Sequence, residues 1–386
     1  MSSRTARFIL AGLLSCSFLD SVVAANYNLV KEYSGPTFFD GWTFFDHFDN
    51  LTNGDTRFVS ASVAASAKLA FVDPATNHAI IKVDNTSTVP FNEKRNTVRI
   101  TTNDGYGVGS VWVADMLHIP YGCSVWPAWW SQAPTWPAGG EIDTLEGVNL
   151  VTKNQMGLHT LPGCTTAGAT QVASSVTGST DCSHLANSNQ GCIVTDGRPE
   201  SYGAGFANAG GGVWVTEYAT TGISIWFFPR ANVPSSLSGS ANASTIDTSS
   251  LGTPTANWPS TNCDMNTFFS PQNLIFDITL CGDFAGPPNI FNQTCTGVCY
   301  NDYVLGNGSN YATAYFEVAS VKVFGTGGGV VVPGNGSSSS GATNPTGATN
   351  STGGSTSGLN GMVDNVAGKG WWSVLAMALM ALLLGL

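Results

Sequence analysis

The sequence predicts an all-β fold, a sandwich of many short strands, and three observations predict it. Glycine, serine, threonine, valine and aromatic residues are abundant while strong helix formers are scarce, a balance that favours strands and turns. Short segments of alternating apolar and polar residues recur between turn clusters such as Asn53-Gly54-Asp55 and Asn103-Asp104-Gly105, as half-buried strands joined by turns require. No unbroken helical period of useful length and no strand–helix alternation interrupts them, which leaves one long core between stacked sheets.

At the start of the chain Arg4 and Arg7 precede the apolar run Phe8-Ile9-Leu10-Ala11-Gly12-Leu13-Leu14, and Val22-Val23-Ala24-Ala25 places small residues at a cleavage position. Residues 1–25 therefore read as a secretory signal peptide, and Cys16 leaves with it. The remaining cysteines, Cys123, Cys164, Cys182, Cys192, Cys263, Cys281, Cys295 and Cys299, are even in number. In a secreted chain this favours disulfides, whose pairing stays open. Cys295 and Cys299 have the spacing of half a zinc site, but no histidine or second close cysteine pair accompanies them, so neither metal nor cofactor is expected.

Residues 26–325 form one expected folded domain, long enough to bury roughly 75% of its unfolded surface. Asn96-Thr97-Val98-Arg99-Ile100 and Val111-Trp112-Val113 read as strands. The glycines at 105, 107 and 109 lack the spacing of a nucleotide loop. Ile223, Ile225 and Phe227 share one strand face; Leu274, Phe276, Ile278 and Leu280 alternate with Ile275, Asp277 and Thr279, so one face meets the core and the other something polar or a cleft. Tyr315–Val318 and Val321–Phe324 supply a last strand or two, ending at Gly325. Sequons at Asn50, Asn85, Asn242, Asn292 and Asn307 fit a glycosylated surface.

A net charge of −11 with 14 Lys and Arg excludes nucleic acid as a natural partner and leaves a neutral polymer compatible. A monomer is expected. Residues 326–360 turn to Gly, Ser, Thr and Asn, the composition of a flexible stalk open to O-glycosylation. Residues 361–386 end in an apolar run from Trp371 to Leu386 with no basic flank, which reads as a GPI-attachment signal in preference to a membrane span. Ser355, Ser357 and Asn360 are candidate attachment residues. The expected location is thus secreted, at the cell surface and wall, anchored by GPI to the plasma membrane.

The chemistry concentrates in Gly139-Gly140-Glu141-Ile142-Asp143-Thr144-Leu145-Glu146-Gly147-Val148-Asn149, three carboxylates within six residues. On a strand Glu141 and Asp143 share a face, and Glu146 falls out of phase. A β-bulge around Thr144-Leu145 would return Glu146 to that face. Paired carboxylates cleave glycosidic bonds, one as acid and one as nucleophile about 5–5.5 Å away in retaining enzymes. Repulsion among three acids would leave a proton shared between them. A calcium site or a solvated charged strand is the alternative reading of the spacing. Trp126, Trp129, Trp130 and Trp136 precede the acids, and indole faces suit the C–H faces of sugars; alternation places only one of Trp129 and Trp130, assigned here as Trp130, in the cleft.

The acidic stretch closely resembles the signature of glycoside hydrolase family 16 in its bulged E-x-D-x-x-E form, as in fungal laminarinases. Ordered matches continue through Asn96–Ile100, Pro120-Tyr121-Gly122-Cys123, Trp126-Pro127-Ala128, Leu158-His159-Thr160, Trp226-Phe227-Phe228-Pro229-Arg230, Asn262-Cys263-Asp264 and Cys281-Gly282-Asp283. The resemblance implies a concanavalin A-like β-jelly-roll with a concave substrate cleft, and retaining endo-hydrolysis of β-1,3 or β-1,3/1,4 glucan. It implies Glu141 as nucleophile, Glu146 as general acid/base and Asp143 as electrostatic assistant, with Trp126, Trp130, Trp136, Arg99, Asn149 and His159 as subsite residues. A wall-remodelling transglycosylase of the same family, or a glucan-binding surface protein with a dead site, is the competing reading.

Overall fold

A computed structural model describes residues 26–238, 244–327 and 330–334. The expected signal peptide, the sequon at Asn242, most of the stalk and the GPI signal lie outside these residues. Among the described residues two large antiparallel sheets stack as a jelly-roll. The acid-bearing sheet runs, edge to edge, Ser175–Thr177, Cys192–Asp196, Gln155–His159, Glu141–Glu146, Val125–Gln132, Asn273–Leu280, Arg99–Thr102, Trp42–Phe44. The facing sheet centres on Tyr315–Gly325, Ser110–His118, Gly212–Ala219 and Gly222–Pro229. Helices are short; Ala61–Ser66 and Gly203–Asn208 have six residues each.

Strand alternation builds the core as the sequence predicts. Leu274, Phe276, Ile278 and Leu280 are fully buried between the sheets with Trp112, Trp129, Ile142, Leu145 and Trp214, while Ile275, Asp277 and Thr279 take the opposite, outer face of the acid-bearing sheet. One expected strand differs. The run 96–100 is split at Val98: Arg95–Thr97 pairs in parallel with Thr56–Phe58 in a small side sheet, and Arg99–Thr102 joins the acid-bearing sheet. The last strand is continuous from Tyr315 to Gly325.

The cysteines pair as Cys123–Cys295, Cys164–Cys263, Cys182–Cys192 and Cys281–Cys299. Cys295 and Cys299 are thus each committed to a distant partner. The ordered fold also runs past the expected stalk boundary at 326: Val331 and Val332 pair with Tyr106 and Gly105, two apolar residues finding a free strand edge.

Candidate active site

The acids come to the outer face through one extra residue. Glu146 lies opposite Ala128, Leu145 opposite Trp129, and Asp143 opposite Trp130, which leaves Thr144 without a counterpart. Because Ala128 and Trp130 share a strand face, Asp143 and Glu146 now share theirs. Thr144 and Leu145 turn into the interior, where both are buried. Ahead of the strand, Gly139 and Gly140 hold φ of +94° and +76°, and a Cβ on Gly139 would lie 2.6 Å from that of Ala133. Glycine alone accepts both that conformation and that approach.

Three of the four neighbouring tryptophans spend their indole N–H on a carboxylate. Trp126 Nε1 donates to Glu146 Oε1 at 2.9 Å, Trp130 Nε1 to Asp277 Oδ1 at 2.8 Å, and Trp136 Nε1 to Glu141 Oε2. Trp129 is buried instead against Phe276, with ring centroids 4.3 Å apart. Glu146 takes a second donor, Gln155 Nε2, at 3.3 Å. His159, across the ladder from Glu141, sets Nε2 3.5 Å from Asp143 Oδ2 and bonds Asn189 Oδ1 through Nδ1 at 3.1 Å.

Burial raises the Asp143 carboxyl well above the usual carboxylate range, and the charges of Glu141 and Glu146 push the same way. Its Oδ2 is buried without a hydrogen-bond partner, an environment suited to a neutral acid. Burial also raises Glu146, offset in part by the Trp126 donor and by His159. The site therefore holds protons on an acidic face, the condition for a carboxyl group to act as general acid. As for a cation, Glu141, Asp143 and His159 bring possible ligand atoms within 4.8 Å of one another; a set containing imidazole departs from the all-oxygen cage that calcium prefers.

Residues 42–324 match the family model described as XgeA-like, catalytic GH16 domain. The chain belongs to glycoside hydrolase family 16. It is 38% identical over 307 residues to a probable glycosidase of Schizosaccharomyces pombe, spanning 79% of this chain and 70% of the relative. It is 36% identical over 322 residues to an endo-1,3(4)-β-glucanase of Emericella nidulans, spanning 81% of this chain and 49%, about half, of that longer protein. Among solved structures, laminarinase 16A of Phanerochaete chrysosporium, with 6-O-glucosyl-laminaritriose in donor and acceptor sites, aligns with a TM-score of 0.73 and 36% identity over 78% of this chain and 99% of that one. An elongating family 16 β-1,3-glucosyltransferase aligns at 0.70 and 36% over 77% and 99%.

Within this family 16 domain two expected contact residues sit differently from expectation. Asn149 is not in the cleft: it is 1% exposed at φ 58°, its Oδ1 accepts from Ser124 N and its Nδ2 donates to Ala285 O. An asparagine beside the acids is there to hold a left-handed turn. Arg99 is buried, 3.8 Å from Asp277, and its guanidinium lies 4.9 Å from the Trp130 ring and 5.6 Å from that of Phe45, so it orders cleft residues. The sequence reading missed Asp277 as a site residue. It faces the cleft across Ala128 from Glu146, and burial pushes its carboxyl up to about 6 against the lowering pull of Arg99 and Trp130. Its alternation with core residues was the available signal.

Proposed function

We propose that the chain is a retaining endo-β-glucanase acting on internal β-1,3 or β-1,3/1,4 linkages. The observation that carries this is the bulge at Thr144, which sets Glu141, Asp143 and Glu146 on one face. In this reading the Glu141 carboxylate attacks the anomeric carbon while Glu146 gives its proton to the departing glycosidic oxygen. Glu146 then takes a proton from the water that hydrolyses the glycosyl-Glu141 ester. Asp143, whose carboxyl is raised by burial and by the charges of Glu141 and Glu146, favours its neutral form beside the nucleophile and so limits the charge gathered on this face. Trp126, Trp130 and Trp136 line the sugar path. Glu141→Gln should abolish release of reducing ends from laminarin in a folded protein; undiminished turnover would overturn the assignment.

A second reading passes the glycosyl group to a sugar hydroxyl. A cavity of about 500 Å³ beside Glu146, lined by Leu150, Val151, Gln155, Phe284 and Thr294, offers room for an acceptor, and one similar solved structure is that of an elongating β-1,3-glucosyltransferase. Products longer than the starting oligosaccharide at high acceptor concentration would identify it. The reading also includes a secreted monomer anchored by GPI at the cell wall, supported by residues 1–25 and 361–386 and tested by release from membranes with a phosphatidylinositol-specific phospholipase.

A further inference from the structure

We infer that Asn154 is the positioning residue that keeps Glu146 in phase with Glu141, an inference that rests on Glu146 being the general acid/base. Asn154 immediately precedes the strand Gln155–His159 and is 1% exposed, withdrawn from solvent and substrate. Its carboxamide spans the bulge: Oδ1 accepts from Glu146 N at 3.0 Å and Nδ2 donates to Thr144 O at 2.9 Å. On this side the ladder steps from Asp143 opposite Gly157 to Glu146 opposite Gln155, so Thr144 and Leu145 together face only Met156. Two residues against one leave backbone groups without ladder partners, and buried groups of that kind need a substitute.

Asn154 supplies both halves of that substitute from one short arm. Aspartate has no donor, serine is too short, and leucine offers neither group. The backbone behind the amide is itself fixed, since Asn154 N donates to Ser201 Oγ at 3.0 Å and Asp196 N donates to Asn154 O at 2.9 Å. Glu141 is held elsewhere, by the Gly139-Gly140 entry and Trp136. Loss of Asn154 should therefore misplace the acid while sparing the nucleophile.

The test compares Asn154→Leu, Asn154→Asp and Ser201→Ala with Glu146→Ala on two substrates. Laminarin needs a protonated leaving oxygen; a 2,4-dinitrophenyl laminaribioside does not. Asn154→Leu should lower laminarin kcat roughly 10²-fold, within the range general acid catalysis contributes, with little change in KM. The dinitrophenolate burst should stay near wild type, and azide should accelerate turnover. Asn154→Asp and Ser201→Ala should follow in the same direction to smaller extents, and they carry the comparison if the leucine variant does not fold. Equal losses on both substrates, or no loss on either, would overturn the inference. If Glu146→Ala shows the selective pattern and no Asn154 variant does, this inference alone falls; if Glu146→Ala lacks the pattern, the acid/base reading falls with it.

Discussion

Thr144 and Thr216 join the two sheets through a 2.7 Å hydrogen bond between buried hydroxyls. The inserted residue of the bulge thus points away from the cleft and is tethered in the interior, with a polar partner where an apolar side chain would be ordinary. Removing one hydroxyl strands the other. Thr216→Val should destabilise the domain by about 1–3 kcal/mol, whereas Thr144→Val combined with Thr216→Val should be closer to wild type. A double-mutant cycle by urea unfolding checks the coupling; additive losses would show that the hydroxyls act independently.

The bulge was legible because hydrophobic and acidic residues keep different phases: Ile142 and Leu145 must face the core between the sheets, Glu141, Asp143 and Glu146 the opposite face, and one extra residue reconciles them. The sandwich was legible for the same reason, since strands such as Leu274–Leu280 declare their faces. Side-chain partners were not. Asp277 looks like any polar residue on an alternating strand until Arg99 and Trp130 arrive from neighbouring strands. Asn149 resembles a sugar contact in sequence, because nothing local reveals that its amide is used on Ser124 and Ala285. Disulfide pairing depends on which distant loops meet, and Asn154 depends on a gap in a ladder that sequence does not display.

The indole of Trp126 stabilises the carboxylate form of Glu146 and so lowers its pKa against the upward push of burial. Replacing Trp126 with phenylalanine removes the donor, raises the Glu146 pKa further and keeps the acid protonated to higher pH. The basic limb of the kcat/KM profile on laminarin should therefore move to higher pH. A shift downward, or none, would mean that another group controls that limb.

Asp277 binds its proton more tightly folded than unfolded, with its carboxyl raised from 3.8 to about 6. The stabilisation from that proton is whole below the unfolded value and is lost as pH rises through about 6. Two pKa units correspond to about 3 kcal/mol. Arg99→Met removes the cation 3.8 Å away, so the variant should lose about 3–5 kcal/mol at pH 7.5, where the buried carboxylate stands unpaired, and much less at pH 4. Urea unfolding at the two pH values measures this. Equal losses would mean that Arg99 acts only by packing on Trp130 and Phe45.

Arg95 presents the opposite case, a cation solvated by backbone. It is fully buried. Its Nε and Nη2 donate to Val304 O at 3.0 and 2.6 Å, Nη2 also to Gly306 O at 2.8 Å, and Nη1 to Asp84 O and Ser87 O at 2.9 and 3.1 Å. The guanidinium also lies 5.0 Å from the Tyr311 ring. Loops far apart in sequence are thereby closed on one planar fork, as a bound ion would close them. Arg95→Met would leave these carbonyls facing an apolar chain, and burial without donors is costly; a loss of about 3–5 kcal/mol is expected. Arg95→Lys keeps the charge but has fewer donors without the fixed fork, so its loss should be intermediate. Chemical denaturation of the three proteins gives the order directly, and a methionine variant within about 0.5 kcal/mol of wild type would show that water replaces the guanidinium at no cost.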